Sequence, residues 1–132
     1  MIGINRDLKI SEKFLFPEKV PLRYNLSDIF GGKCTKEIGY TLRVGGRGSK
    51  ITDRRNWEFY WINKKVKRLG IEEGKKMMGL PSDFKFPVSN NQAFKQMGNS
   101  VAVDAVKCVA AELIKFLEKH TSKNEDVDIK IE

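Results

Sequence analysis

Gln96-Met97-Gly98-Asn99-Ser100-Val101-Ala102-Val103 is the stretch on which the reading of this chain turns. Before it, Phe86-Pro87-Val88-Ser89-Asn90-Asn91 reads as extended and turn-rich, because Pro87 keeps its predecessor out of helix. After it, Val103, Val106, Ala110, Leu113 and Leu117 recur at three- and four-residue steps, the apolar stripe of an amphipathic helix. Asn99 or Ser100 is placed to cap that helix, with Asp104 in its first turn. Gly98 permits a close backbone approach or a positive φ just before the cap. A helix N-terminus at such a corner offers N–H donors and the positive end of a dipole to a polar ligand. A well-capped structural helix has the same signature.

Working outward, 132 residues amount to one domain with a modest core. A hydrophobic content of 40% against 32% charged residues excludes a disordered tail. No stretch is apolar and long enough to span a bilayer, and no secretory signal pattern is present. Cys34 and Cys108 form no zinc-ligand spacing, so no metal site is expected, and Cys108 reads as a buried small hydrophobe. Reduced cysteines fit a cytoplasmic protein. The net charge of +8 is unevenly spread: residues 43–76 hold 11 basic and 4 acidic side chains, which is +7 of the total. A concentrated basic segment mixed with aromatics and glycines is the footprint of a nucleic-acid site; a merely solvated basic surface is the plainer alternative.

In chain order, Met1 to Asn5 reads as a buried strand that begins abruptly. Residues 14–21 are extended, punctuated by Pro17 and Pro21, and residues 24–30 form a short helix or turn ended by Gly31-Gly32. Ile38 to Val44 reads as a strand, with Tyr40, Leu42 and Val44 on one face and Thr41 and Arg43 on the other. Gly45 to Ser49 is a basic loop whose glycines let the backbone approach a partner while Arg47 reaches out. Arg54-Arg55-Asn56-Trp57 brings together groups that can pair with phosphates or base edges, or can pin Trp57 into a small core. Residues 58–62 and 66–69 suggest a hairpin turning at Asn63-Lys64-Lys65. Ile71 to Met78 is a short helix with Glu72 and Glu73 in its first turn and Lys75 and Lys76 in its last; Gly79 stops it and Pro81 keeps it stopped. The chain turns polar after Glu118, and His120 is placed to complement a helix end rather than to catalyse. No nucleophile is organised around Cys34, and no catalytic residue is assigned.

Arg68-Leu69, Glu73 and Gly79-Leu80-Pro81-Ser82-Asp83-Phe84 resemble the ninth conserved motif of the DNA (cytosine-5)-methyltransferases, and Gln96 to Val103 resembles their tenth. Order and gap both fit. Tyr40-Thr41-Leu42 resembles the Thr-Leu dipeptide of that family's target recognition domain, and residues 2–8 resemble the strand after the eighth motif. The resemblance covers residues 1–118 and departs at Gly70-Ile71, where Thr-Pro is frequent, and at Asp104, where Pro is common.

The resemblance implies methyl transfer from S-adenosylmethionine to carbon 5 of a cytosine flipped out of duplex DNA. The family's Pro-Cys nucleophile, Phe-x-Gly-x-Gly cofactor loop and Glu-Asn-Val motif are all missing from this sequence. It therefore resembles the C-terminal third of such an enzyme. The implied fold is α+β: a small, irregular, mostly-β recognition lobe, then helices that pack on a catalytic Rossmann-like α/β domain lying elsewhere. The implied segments are a catalytic-domain strand (1–10), a target recognition domain (11–67), the ninth and tenth motifs with their helix (68–118) and a polar tail (119–132). Asn99, Ser100 and Val101 would line the cofactor, while Thr41, Arg43, Arg47, Arg54, Arg55 and Asn56 would meet DNA. Arg68 and Glu73 would bridge one another structurally, and Gly79 and Gly98 would serve the backbone.

The last helix carries Val101, Val103, Val106, Val109, Ala110, Leu113, Ile114, Phe116 and Leu117, more than one apolar face. Each such side chain left in water forfeits roughly 1.5–3 kcal/mol, so a partner surface is expected. The expected partners are double-stranded DNA and a larger catalytic methyltransferase chain, of which this is the small, DNA-reading subunit, acting at the nucleoid and inactive alone. A truncated piece of a single-chain enzyme, and a stand-alone DNA-binding or regulatory module, are the alternatives.

Overall fold

A computed structural model describes residues 2–45 and 48–125, the side chains of 122–125 excepted. It forms two compact units: Val20–Ala105, and residues 1–19 taken with 106–132.

The first unit holds the core. Helix α1 (Leu26–Phe30) starts at a capping box: the Asn25 carboxamide accepts from Asp28 N–H at 3.0 Å, and the Asp28 carboxylate accepts from Asn25 N–H at 2.9 Å. Gly31 ends it in the left-handed conformation at φ +61°. Strands β1 (Phe59–Ile62) and β2 (Lys65–Arg68) pair antiparallel, Ile62 opposite Lys65. The two-residue loop between them places Asn63 and Lys64 at φ +50° and +63°, the type I′ geometry that matches strand twist. Tyr60 and Ile62 face inward and Trp61 outward. Helix α2 (Ile71–Met78) occupies the predicted span, with Glu73 accepting from Gly70 N–H at 3.0 Å and Gly79 closing it at φ +69°. Lys75 is no surface complement to the helix dipole: it is buried, and its ammonium donates to the carbonyls of Ser82 and Phe84 at 2.9 and 3.0 Å, tying the following loop to α2. Leu26, Ile29, Phe30, Leu42, Trp57, Tyr60, Ile62, Leu69, Met78, Phe94 and Met97 make one continuous core.

Several expectations are corrected here. Ile38 to Val44 forms no strand, because nothing beside it offers a ladder; the Tyr40 N–H donates instead to the Tyr60 hydroxyl at 3.0 Å. The hairpin is the only sheet among the described residues, so the lobe is irregular rather than mostly β. Residues 2–5 form no strand either, and a lone strand has no ladder to join. The approach to the corner is not loop but helix α3 (Asn90–Asn99), capped by the Ser89 hydroxyl accepting from Gln92 N–H at 3.4 Å. Its Ala93, Phe94 and Met97 are buried. Asn99 and Ser100 therefore end α3 instead of opening the next helix. Ser100 is extended, and α4 (Val103–Glu125) begins three residues later.

In the second unit α4 continues to Glu125, past the predicted end. His120 is therefore inside the helix, its Nδ1 2.6 Å from the Phe116 carbonyl oxygen and its Nε2 3.1 Å from Glu12. Glu12 also accepts from Lys119 at 3.0 Å, and the rings of Phe14 and Phe116 meet edge-on at 5.6 Å. No side chain described in this unit is buried, and Cys108 is only partly so. No helix among the described residues is long and apolar enough to cross a membrane.

Candidate DNA interface and cofactor corner

The basic loop is held by two core side chains. Trp57, 1% exposed, donates its indole N–H to the Gly45 carbonyl at 2.9 Å. Glu58, fully buried, accepts from the Gly48 N–H and from Arg68 Nε at 2.9 Å. The described ends of the glycine loop are thus fastened to the core. Arg47, the arginine expected to reach out of it, lies outside the described residues.

The segment leading into the loop lies on the core although it is no strand. Leu42 is buried, but Tyr40 and Val44, expected on the same face, are exposed like Thr41 and Arg43, so the predicted alternation does not hold. Gly98 explains how closely the segment sits. A Cβ added there would fall 3.1 Å from the carbonyl carbon of Arg43 and 3.3 Å from the Val44 nitrogen. Of the two roles predicted for Gly98, close approach is the one used; its φ is not positive. Gly74 plays a similar part between α2 and α3, against Met97 and Phe94.

The Arg54-Arg55-Asn56 cluster divides. Arg54 is exposed and makes no ion pair with a described residue. Arg55 is exposed but engaged: its Nη2 and Nε donate to Asp53 at 2.9 and 3.2 Å, and its backbone N–H donates to the same carboxylate at 2.8 Å. These bonds, the guanidinium's first, hold the Asp53 carboxyl down to about 2. An exposed pair of this kind opens readily toward a competing phosphate. Asn56 is turned inward and 7% exposed. Its amide donates to the Phe59 carbonyl at 2.9 Å and accepts from the N–H groups of Glu58 and Phe59. That is an Asx turn preceding β1, and it occupies the amide oxygen and one N–H of a side chain turned away from solvent.

Arg68 and Glu73 are both structural, but they do not pair with each other. Arg68 reaches Glu58 across the hairpin, because the buried carboxylate needs a counter-charge. Glu73 serves the first turn of its own helix. Sequence reasoning also missed α3, although Ser89-Asn90-Asn91-Gln92 carries the Ser-x-x-Gln spacing of a capping box, followed by Ala93, Phe94 and Met97 on one face. Asn99, Ser100 and Val101 come together as an exposed corner between α3 and α4. Ser100 Oγ donates to the Met97 carbonyl at 2.8 Å, and Val101 is 68% exposed.

The sequence matches the family model for C-5 cytosine-specific DNA methylase over residues 2–115. The chain belongs to that family. It is similar to the type II methyltransferase M1.ScrFI of Lactococcus lactis subsp. cremoris, at 39% identity over 83% of this chain and 30% of the relative. It is also similar to M.NlaX of Neisseria lactamica, at 34% identity over 62% of this chain and 26% of the relative. Over a shorter stretch, 31% of this chain and 10% of the relative, it is 54% identical to M.BsuFI of Bacillus subtilis. The chain thus spans less than a third of the length of each of these relatives. Family membership gives a chemical context to the exposed corner and the fastened basic loop: both lie on a methylase chain that contains no Pro-Cys pair.

Proposed function

We propose that this chain is the DNA-reading subunit of a split cytosine-5 methyltransferase, active only with a larger catalytic chain. The observation that carries the reading is its membership of the methylase family together with exposed cations beside a basic loop whose described ends are fastened to the core. Arg43, Arg54 and Thr41 present cationic and hydroxyl groups to duplex DNA. Arg55 joins them by exchanging Asp53 for a phosphate, and Asn56 holds the turn beneath. Trp57 holds Gly45 on the core, and Glu58, paired with Arg68, holds Gly48 there.

The exposed corner of Asn99, Ser100 and Val101 fits one edge of S-adenosylmethionine: an amide and a hydroxyl for its polar groups beside an apolar side chain. The cofactor would supply the methyl group. The residues of this chain would bind and orient it and exclude water, and the catalytic chain would supply the nucleophile. Chemistry on a stacked base requires the target cytosine to leave the helix, and the recognition lobe would hold the duplex while it does. The apolar face of α4 is the surface on which the catalytic chain would close.

The test is co-purification of the tagged chain, followed by radiolabelled methyl transfer to DNA. A larger chain should co-purify, and the pair should transfer methyl where neither alone does. Methyl transfer by the isolated chain would sink the proposal. A second reading, a stand-alone DNA-binding module, draws on the fact that residues 20–105 possess a core of their own. It predicts sequence-specific binding with no partner and no methyl transfer in any combination.

A further inference from the structure

A cleft of about 360 Å3 opens between the Arg43-Val44 segment and the first half of α3, lined by Arg43, Val44, Asn91, Gln92, Phe94 and Lys95. Among the described residues its lining has two cations, two neutral amides and no acid. Neither Arg43 nor Lys95 forms an ion pair with a described residue, and both are exposed. The walls are firm. Phe94 roots α3 in the core at 2% exposure, and Gly98 lets the Arg43-Val44 backbone sit directly against the helix. Lys95 is thus displayed from a rigid element. Two uncompensated positive charges converging on one polar cleft favour an anion.

We propose that this cleft seats a backbone phosphate of duplex DNA, with Lys95 and Gln92 of α3 joining Arg43 as its ligands. The proposal rests on the DNA-reading assignment above and extends the footprint from the recognition loops to α3. Lysine acts as a point charge and an amide as a single donor, so the contact positions the duplex without reading sequence.

The test is binding of the full chain to a pool of random-sequence duplexes over a range of salt concentrations. Lys95→Ala should weaken every duplex alike and make the slope of log affinity against log salt shallower by about 1. Lys95→Arg should restore the slope. An unchanged slope in Lys95→Ala, a loss confined to particular sequences, or failure of Lys95→Arg to rescue would each overturn the proposal. So would displacement of DNA by inorganic phosphate at matched ionic strength in Lys95→Ala as readily as in wild type. If the wild-type chain bound no duplex at any salt, the DNA-reading assignment itself would fall, and this inference with it.

Discussion

Between Val20 and Ala105 the chain buries Trp57, Tyr60, Leu26, Ile62, Leu69 and Met97 almost completely. In residues 2–19 and 106–121 no side chain is buried, although that region is rich in Leu, Ile, Val and Phe. Ile114 is 56% exposed, Val106 50%, and Leu15 76%. Composition does not separate the two regions; what separates them is whether apolar residues have something to pack against. The first region closes a hairpin, α1, α2 and α3 around a shared interior. The second has one long helix and a strap, held by the Glu12–Lys119–His120 cluster and a Phe14–Phe116 contact. Two elements of that kind cannot enclose a core, so their apolar faces remain available for another surface.

Mutation can break this contrast. Trp57→Ala removes the largest buried side chain and the bond to Gly45, and should cost about 3–5 kcal/mol in a denaturant titration of the isolated chain. If Ile114→Ala cost as much, the second region would have to be cored as well.

A smaller effect tests the electrostatic part of the core. Arg68→Ala leaves the Glu58 carboxylate buried with the Gly48 N–H but without its guanidinium, and should destabilise by about 1.5–3 kcal/mol. Glu58→Gln combined with Arg68→Ala should recover part of that loss, since the buried negative charge is removed together with the guanidinium.

Tyr60 sharpens the contrast through pH. Its hydroxyl donates to the Trp57 carbonyl and accepts from the Tyr40 N–H, and burial pushes the phenol up from 10.0 to about 12. Folding therefore favours the protonated phenol. Its contribution is complete below pH 10 and declines as pH rises toward 12, where the unfolded chain ionises first. Tyr60→Phe should cost about 1–2 kcal/mol at neutral pH and flatten the alkaline decline in melting temperature between those values. A decline of equal steepness in the variant would remove Tyr60 as its source.

The smallest expected change is on α4. Ile114→Ala and Val106→Ala should alter the stability of the isolated chain by less than about 0.5 kcal/mol. Both should weaken capture of the catalytic chain in the pull-down. Unchanged capture by both variants would argue that this face is not the docking surface.

Patterns carried in neighbouring residues were legible from the sequence. Ile71 to Met78 announced itself by its acidic start, basic end and terminal Gly79, and the structure keeps those bounds. The hairpin followed from an aromatic run and a Val-Lys-Arg-Leu stretch around a polar turn, although Lys65 belongs to the second strand rather than to the turn, and α1 followed from its closing glycines. Gly98 could be read as serving either a close approach or a positive φ, and the close approach is the one used. The paired ninth and tenth motifs led to the family that the comparison with known proteins supports.

Tertiary structure decided what depends on distant partners. Ile38 to Val44 alternates like a strand but found no edge to pair with, and a strand exists only where a second one supplies its hydrogen bonds. Arg68 chose Glu58 over Glu73 because a fully buried carboxylate needs the charge more than a helix cap does. Asn56 turned inward because the chain entering β1 needed its amide. The assembly of Arg43 with α3 into one cleft joins residues about fifty positions apart, a proximity that no local spacing encodes. Propensity and capping act over a few residues and can be read along the chain; counter-charge, ladder pairing and clefts are set by what folding brings alongside.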